Sequence, residues 1–347
     1  MNILVTGGAG FIGSHLSEAL LKLGHQVVAL DDLSTGHRNN VKPILADQRF
    51  RLVNGSVLDE SCLEPLVAES DLVYHLAAAV GVKFVLENLI ETIESNVRGT
   101  ENVIRSAHRS GGKKVVMTSS SEVYGKTSVL PYREDGDLVL GPTSVGRWEY
   151  ACSKMLDEFL ALAYHAEQQL PVVIARLFNT VGPRQQGRYG MVIPRFVSQA
   201  LENQPITVYG DGTQTRCFTY VGDTVSALIE MAQVPDAEGQ VFNVGNDHEV
   251  SINELATLVK GILNSDSSIV HIPYDQHYGA KFEDVARRVP DISKIKSYMD
   301  FEPSTELGTI IREVADHLTQ QQVDATSDMT GGLGAPATQQ SGIGPIP

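Results

Sequence analysis

The stretch TGGAGFIGSHL, residues 6–16, sets glycines at positions 7, 10 and 13, with a further one at position 8. Ahead of it, Met1-Asn2-Ile3-Leu4-Val5 is a short unbroken apolar run that predicts a buried strand. Behind it, Phe11, Ile12, Leu16, Ala19, Leu20 and Leu23 recur at helical spacing. The glycines therefore fall at a strand-to-helix turn, where a missing Cβ lets a phosphate approach the backbone and the helix N-terminus. Glycine turns also serve packing alone, so the context decides. Asp31 closes the next apolar run, 18 residues past Gly13. That is close to the spacing of a carboxylate that binds an adenosine ribose. A carboxylate there repels a 2′-phosphate, which favours NAD over NADP; Arg38 is the one feature pointing the other way. The alternative for Asp31 and Asp32 is a solvated loop pair.

Outward from this turn, strand-like runs alternate with helical patterns. VVAL (27–30), FRLVNG (50–55), DLVYHLA (71–77), KKVVMTSS (113–120) and PVVIARLF (171–178) read as buried strands. Helical patterns run from about Val85 to His108 and from Tyr150 to Glu167. Unbroken apolar strands alternating with helices predict a doubly wound parallel sheet of Rossmann type, an α/β class fold covered on both faces. After residue 178 short strands (ITVYG, 206–210; CFTYV, 217–221; VFNVG, 241–245) mix with short helices, one of them opened by a Ser251–Glu254 capping box. The expected organisation is a nucleotide-binding domain over 1–178, with part of 217–245 returning to it. A smaller mixed α/β substrate region covers 179–319. The segment 320–347, rich in Gly, Gln and Pro without periodicity, is expected to be disordered.

Composition narrows the partners. The 347 residues carry 27 Lys+Arg against 42 Asp+Glu, a net charge of −15, which argues against a nucleic-acid partner. A small anionic ligand held by a few local arginines is compatible with that balance. Cys62, Cys152 and Cys217 have neither metal-ligand nor disulfide spacing, so no metal is expected and a reducing compartment fits. No leader-like segment precedes the first strand and no apolar run approaches membrane-spanning length. The expectation is a soluble cytoplasmic protein without a membrane partner.

Two features carry chemistry. Tyr150-Ala-Cys-Ser-Lys154 sets a Tyr and a Lys at i and i+4 on one helical face. A nearby ammonium favours phenolate and makes the phenol a usable base. Alone, the pair reads as a surface contact. The second feature is Ser119-Ser120-Ser121-Glu122, which follows a buried strand thirty residues upstream of Tyr150. Strand ends in such sheets face the ligand crevice, where a hydroxyl can bond a reacting oxygen.

Together these features resemble the extended short-chain dehydrogenase/reductase family, and within it the nucleotide-sugar epimerases, dehydratases and decarboxylases. Further stretches carry the likeness: HLAAAVGVK (75–83), SNVRGTENV (95–103), TSSSEVYG (118–125), RLFNTVGPR (176–184), TVYGDGTQTRCFTYVGD (207–223) and RRVPDISK (287–294). The resemblance covers nearly all of the chain but the tail. It implies that Gly7, Gly10, Phe11, Ile12, Gly13, Asp31, Ser56, Val57 and Ala77 bind NAD. It implies Tyr150 as the base at the sugar 4-hydroxyl, with Lys154 holding the nicotinamide ribose and lowering the Tyr150 pKa. Ser120 bonds the same oxygen, and Glu122 stands beside it, either catalytic or ordering Tyr124 and its loop. Asn96 is the family's helix asparagine. Ser121, Asn179, Arg216 and Arg288 fall in the substrate set, and guanidinium forks suit a diphosphate; taken singly, each Arg also reads as a surface ion pair. Ser56 departs from relatives that carry Asp at that position.

All these relatives begin by making a 4-keto sugar. Ser121 replaces the Asp of the dehydratases, which disfavours dehydration. The HLAAAVGVK stretch resembles uronate epimerases, and Arg188 sits in a loop able to clamp a C6 carboxylate or a diphosphate. The resemblance thus implies a UDP-sugar 4-epimerase acting on UDP-glucuronate, or on UDP-glucose. The alternative is a UDP-glucuronate decarboxylase giving UDP-xylose, because Ser120-Ser121-Glu122 is close to the decarboxylase motif. Regulators that retain this fold are expected to lose the Tyr or the Lys, and this chain keeps both. The helical patterns at 85–108 and 150–167 resemble the pair through which the family forms homodimers.

Overall fold

The computed structural model describes residues 1–81, 85, 87–187, 191–274 and 285–331, with side chains to residue 323. The first apolar run forms β1 (Asn2–Thr6), and the helix after the glycines is α1 (Phe11–Lys22). β2 (Gln26–Asp31) and β3 (Phe50–Asn54) extend the sheet on one side of β1. On its other side lie β4 (Leu72–His75), β5 (Lys114–Ser120), β6 (Val172–Leu177) and finally the strand Gln240–Val244. All seven strands pair in parallel. The chain runs out to β3 and then back to β4 beside β1, so the order reverses at the carboxyl ends of β1 and β4. In an open parallel sheet that reversal opens a crevice for a ligand.

Alternation within the strands splits the core between the two faces. Ile3, Val5, Ala29, Val116, Ala175 and Phe242 pack with Leu16 and Leu20 of α1 and with Val225 and Leu228 of the helix Val221–Gln233. Leu4, Leu30, Val73, Val115, Met117 and Ile174 pack on the opposite face with Leu63 and Val67 of the helix Glu60–Glu69 and with Ala161 of the helix Arg147–Gln168. A separate core joins the helices Val192–Leu201, Ile252–Ile262 and Leu307–Gly331 to the parallel pair Ile206–Tyr209 and Ile269–Ile272. The capping box at Ser251 and Glu254 forms as expected, with both reciprocal bonds made.

Two elements differ from the sequence reading. The long helical pattern over 85–108 is divided into a helix at Leu89–Ile93, a π-helical turn at Glu94–Arg98 and a helix at Gly99–Arg109. The wide turn carries Asn96 inward, where its Oδ1 accepts the Ala79 N–H at 2.8 Å and its Nδ2 donates to Ser153 Oγ at 3.1 Å. The final helix continues through Gly331, into the segment expected to be disordered from 320. Residues 320–330 contain neither Gly nor Pro, so a helix already nucleated on the core propagates through them. Residues 332–347 lie outside the described residues. Among the described residues, no helix is long and apolar enough to cross a membrane.

Candidate active site

At the carboxyl end of β1 the glycine turn is tight enough to exclude side chains. Gly7 adopts φ +70°, donates its N–H to Leu30 O at 2.8 Å and accepts the Gly10 N–H at 3.0 Å. A Cβ on Gly13 would lie 2.1 Å from Gly7 O, and one on Gly7 would lie 2.8 Å from Ala77 N. The turn thus closes directly on the start of α1, whose first turn carries no acidic side chain. Free N–H groups and the positive end of the helix dipole face the crevice there, a cradle suited to a pyrophosphate. Asp31, at the end of β2, is buried; its Oδ2 accepts the Ala9 N–H at 2.9 Å and its Oδ1 the Leu33 N–H at 2.9 Å. Burial pushes its carboxyl above the usual range, against the pull of those donors. Asp31 therefore braces the glycine turn as well as lining the crevice.

The crevice is a cavity of about 510 Å³. Gly7, Gly10, Phe11, Ile12, Gly13, Asp31, Ser56, Val57 and Ala77 line it from the sheet's first half. Ser120, Ser121, Glu122, Tyr150 and Lys154 line it from β5 and the helix Arg147–Gln168, and Asn179, Arg216 and Arg288 from the later part of the chain. Arg188, expected as a carboxylate clamp, lies outside the described residues.

Tyr150 and Lys154 stand one turn apart on that helix. The Tyr150 hydroxyl bonds to Ser120, whose Oγ also accepts the Glu122 N–H at 3.2 Å. Burial pushes the phenol well above its ordinary value, and the Glu122 and Asp157 charges push the same way. The expected lowering of this group by Lys154 is not what the structure holds. The Lys154 ammonium donates to Asp157 Oδ2 at 3.1 Å, both side chains are buried, and the counter-charge offsets the ammonium field.

Glu122 lies between two guanidiniums. Arg288 Nη1 is 2.8 Å from Oε1 and Arg147 Nη2 is 3.5 Å from Oε2, while Arg288 also reaches Ser121 Oγ at 3.5 Å. Asn179 Nδ2 donates to Cys217 O at 3.0 Å and Arg216 Nη1 to Thr215 O at 2.7 Å, so each anchors a backbone oxygen while lining the cavity. Beneath the site, Arg176 on β6 pairs with Glu158 (2.7 Å) and donates to the Tyr124 hydroxyl (2.9 Å). Ser119 Oγ donates to the same glutamate at 2.5 Å. This buried network ties the end of β5 to the helix that carries Tyr150 and Lys154.

Sequence reasoning missed Arg147, Asp157, Arg195, Tyr209, Gln214 and Tyr274. Arg147 and Asp157 flank the Tyr–Lys pair at helical spacing, a signal that was present. Arg195 stacks on the Tyr209 ring at 4.0 Å, and Gln214 Nε2 donates to the Tyr274 hydroxyl at 2.9 Å. Tyr209 and Gln214 lie within the TVYGDGTQTRCFTYVGD stretch, so that signal was present too, whereas Arg195 and Tyr274 lie outside the stretches quoted above.

Comparison with known proteins adds three findings. Residues 3–245 match the model of the NAD dependent epimerase/dehydratase family. The chain is 45% identical over 302 residues (87% of this chain, 92% of the relative) to the UDP-N-acetyl-alpha-D-glucosaminuronate decarboxylase of Bacillus cytotoxicus. It is 38% identical over 308 residues (88% and 85%) to UDP-glucuronic acid decarboxylase 6 of Arabidopsis thaliana. Among solved structures it resembles the UDP-glucuronic acid 4-epimerase of Bacillus cereus in complex with UDP-glucuronic acid and NAD. The TM-score is 0.81, with 30% identity over 92% of this chain and 100% of that one. The expectation of a 4-epimerase is overturned by these relatives: decarboxylases stand at higher identity than the epimerases. The HLAAAVGVK likeness that favoured epimerisation falls partly on residues outside the description, and the clamp residue falls there wholly.

Proposed function

The chain belongs to the NAD-dependent epimerase/dehydratase family, and from that premise we propose that it is a decarboxylase of a UDP-linked uronate. The observation that carries this reading is the 45% identity with the UDP-N-acetyl-alpha-D-glucosaminuronate decarboxylase across 87% of the chain. It makes the N-acetylated uronate the first substrate to try and UDP-glucuronate the second. The cofactor is NAD, and the side-chain-free glycine turn, the N-terminus of α1 and the Asp31 carboxylate fit a dinucleotide. When bound, NAD supplies the hydride acceptor and later the donor at C4, and in its oxidised form a positive charge.

The residues divide the rest of the work. Tyr150 takes the proton from the C4 hydroxyl, and Ser120 holds the same oxygen through its hydroxyl. Oxidation at C4 turns the uronate into a β-keto acid, which loses carbon dioxide readily. Loss of carbon dioxide leaves negative charge on the C4 oxygen, which Tyr150, protonated by the first step, and Ser120 stabilise by donation. Glu122 engages Arg288 and Arg147, so these guanidiniums are partnered within the protein rather than set as a clamp on the leaving carboxylate. Tyr209, Phe218 and Ile252 provide the apolar wall for the nucleoside, and Arg216 a cation for the diphosphate.

Incubation with UDP-N-acetylglucosaminuronate and with UDP-glucuronate, followed by proton NMR, tests the reading. The expected result is a UDP-pentose with stoichiometric carbon dioxide from at least one of them. A C4-epimeric uronate as the main product, or neither uronate consumed, overturns it.

We also propose that the protein is a homodimer. Ile90 (76% exposed) and Ile93 lie on the helix Leu89–Ile93, and Leu156 and Phe159 (64% exposed) on the helix packed beside it. An apolar cluster of this kind is costly to leave in water. Phe159→Asp is expected to turn a dimer into a monomer by light scattering. A wild-type chain that is monomeric at micromolar concentration removes the proposal.

A further inference from the structure

A second buried polar chain runs behind the site and ends on a residue that has no part in the steps above. Thr6 Oγ1 accepts the Ala77 N–H at 3.3 Å, so its own proton is directed to His75 Nδ1, 2.8 Å away. His75 Nε2 then carries the ring proton and donates to Thr100 Oγ1 at 3.1 Å. The Thr100 hydroxyl in turn faces the Asp157 carboxyl and favours its charged form. Burial holds His75 neutral, with its pKa lowered to about 3, so it serves as a fixed donor rather than a second cation. The ring proton thus points to Thr100, and Asp157 Oδ2 receives the Lys154 ammonium at 3.1 Å while its Oδ1 is buried without a hydrogen-bond partner among the described residues.

From this geometry we infer that Asp157 is a positioning residue for the Tyr150–Lys154 couple. It fixes the ammonium in place and offsets part of its charge at the base. The inference rests on the reading of Tyr150 as the base, but not on which sugar is converted. The charges facing the Tyr150 hydroxyl are Lys154 and Asp157 on its own helix and Glu122 from the turn after β5, with Glu122 in turn paired to Arg147 and Arg288. Those facing Asp157 are Lys154 and Glu158 on its own helix, with the neutral Thr100 from the helix Gly99–Arg109. Asp157 is thus the one acid of this set that touches the ammonium.

The sign follows from charge. Removing a carboxylate near a phenol favours the phenolate, so Asp157→Asn moves the acidic limb of the kcat/KM profile to lower pH, by about one unit. Lys154 is read as the holder of the nicotinamide ribose, so an ammonium no longer fixed by Asp157 grips the cofactor less well. NAD binding measured by calorimetry on the full chain is expected to weaken about threefold or more. Asp157→Glu keeps the charge, and is expected to return both the limb and the NAD affinity toward wild type. A merely structural Asp157 predicts the reverse pattern, with Glu as damaging as Asn and the limb unmoved. An acidic limb in Asp157→Asn at the wild-type pH, or NAD affinity unchanged or tighter, overturns the inference. If Asp157→Asn fails to fold, Thr100→Val provides the second route: it removes the neighbouring hydroxyl that favours ionised Asp157, and is expected to shift the limb in the same direction by a smaller amount; no shift counts against the inference. The calorimetric readout needs no uronate, so its failure is distinct from a failure of the decarboxylase reading.

Discussion

Tyr150→Phe is expected to lower turnover on the uronate by about 10³-fold while leaving the fold and NAD binding near wild type. The variant removes one oxygen and keeps the ring, so the packing of the helix Arg147–Gln168 is retained. On the proposed assignment, what is lost is the group that takes the C4 proton and then donates to the oxygen that carries charge after decarboxylation. Positioned acid–base groups contribute about 10²- to 10⁴-fold, and this one serves two steps. Ser120, proposed to hold the same oxygen, has no base character of its own near neutral pH. Single-turnover absorbance of the cofactor isolates the oxidation step, which is the one expected to fail. Turnover retained within about threefold of wild type would place the base elsewhere.

Arg176→Leu is expected to be the most destabilising of the single changes considered. Arg176 and Glu158 are both buried, and the guanidinium makes three hydrogen bonds to the carboxylate, one to the Tyr124 hydroxyl and one to Glu134 O. Removing one partner of a buried pair leaves an uncompensated charge and costs about 3–5 kcal/mol. For a chain of this size that corresponds to a fall in Tm of roughly 10 °C. Burial also holds the Tyr124 phenol up at about 12, so it remains a neutral donor to Asn243 and cannot take over the cation's role. The double variant Arg176→Leu with Glu158→Leu is expected to recover part of the loss, because the orphaned charge is gone. A double variant less stable than Arg176→Leu alone would mean that packing, not charge, sets the penalty. Denaturant unfolding of the three proteins decides between them.

The parts of the molecule that were legible in the sequence are those whose physics is local. The glycine turn announces itself because a strand, a helix and an acid stand at fixed offsets around it, and the structure sets Gly7, Gly13 and Asp31 along one cavity. The Tyr150–Lys154 pair was legible from helical periodicity. The state of that pair was not, because it depends on Asp157 and Thr100 and on the depth of burial, which no spacing encodes. Glu122 was legible as a candidate, but its two guanidinium partners come from positions 147 and 288. Arg195, Tyr209, Gln214 and Tyr274 escaped for the same reason, since their contacts join position 195 to 209 and 214 to 274. The choice of reaction was misread because it was drawn from an apolar stretch and a loop arginine rather than from Ser120-Ser121-Glu122. The last helix outran the expected tail because composition was weighed over a long window while helix propagation acts residue by residue.

The seventh strand, Gln240–Val244, pairs with β6 only after more than sixty residues of intervening chain, part of which builds the other core. During synthesis, β6 therefore emerges as an open edge with Val172, Val173, Ile174 and Ala175 in a row, all buried in the finished protein. An apolar edge of that kind is a template for pairing with another chain. The nascent protein must carry this liability until Gln240–Val244 has left the ribosome. A premature stop or a proteolytic nick between the two strands thus yields a sticky fragment rather than a smaller working enzyme.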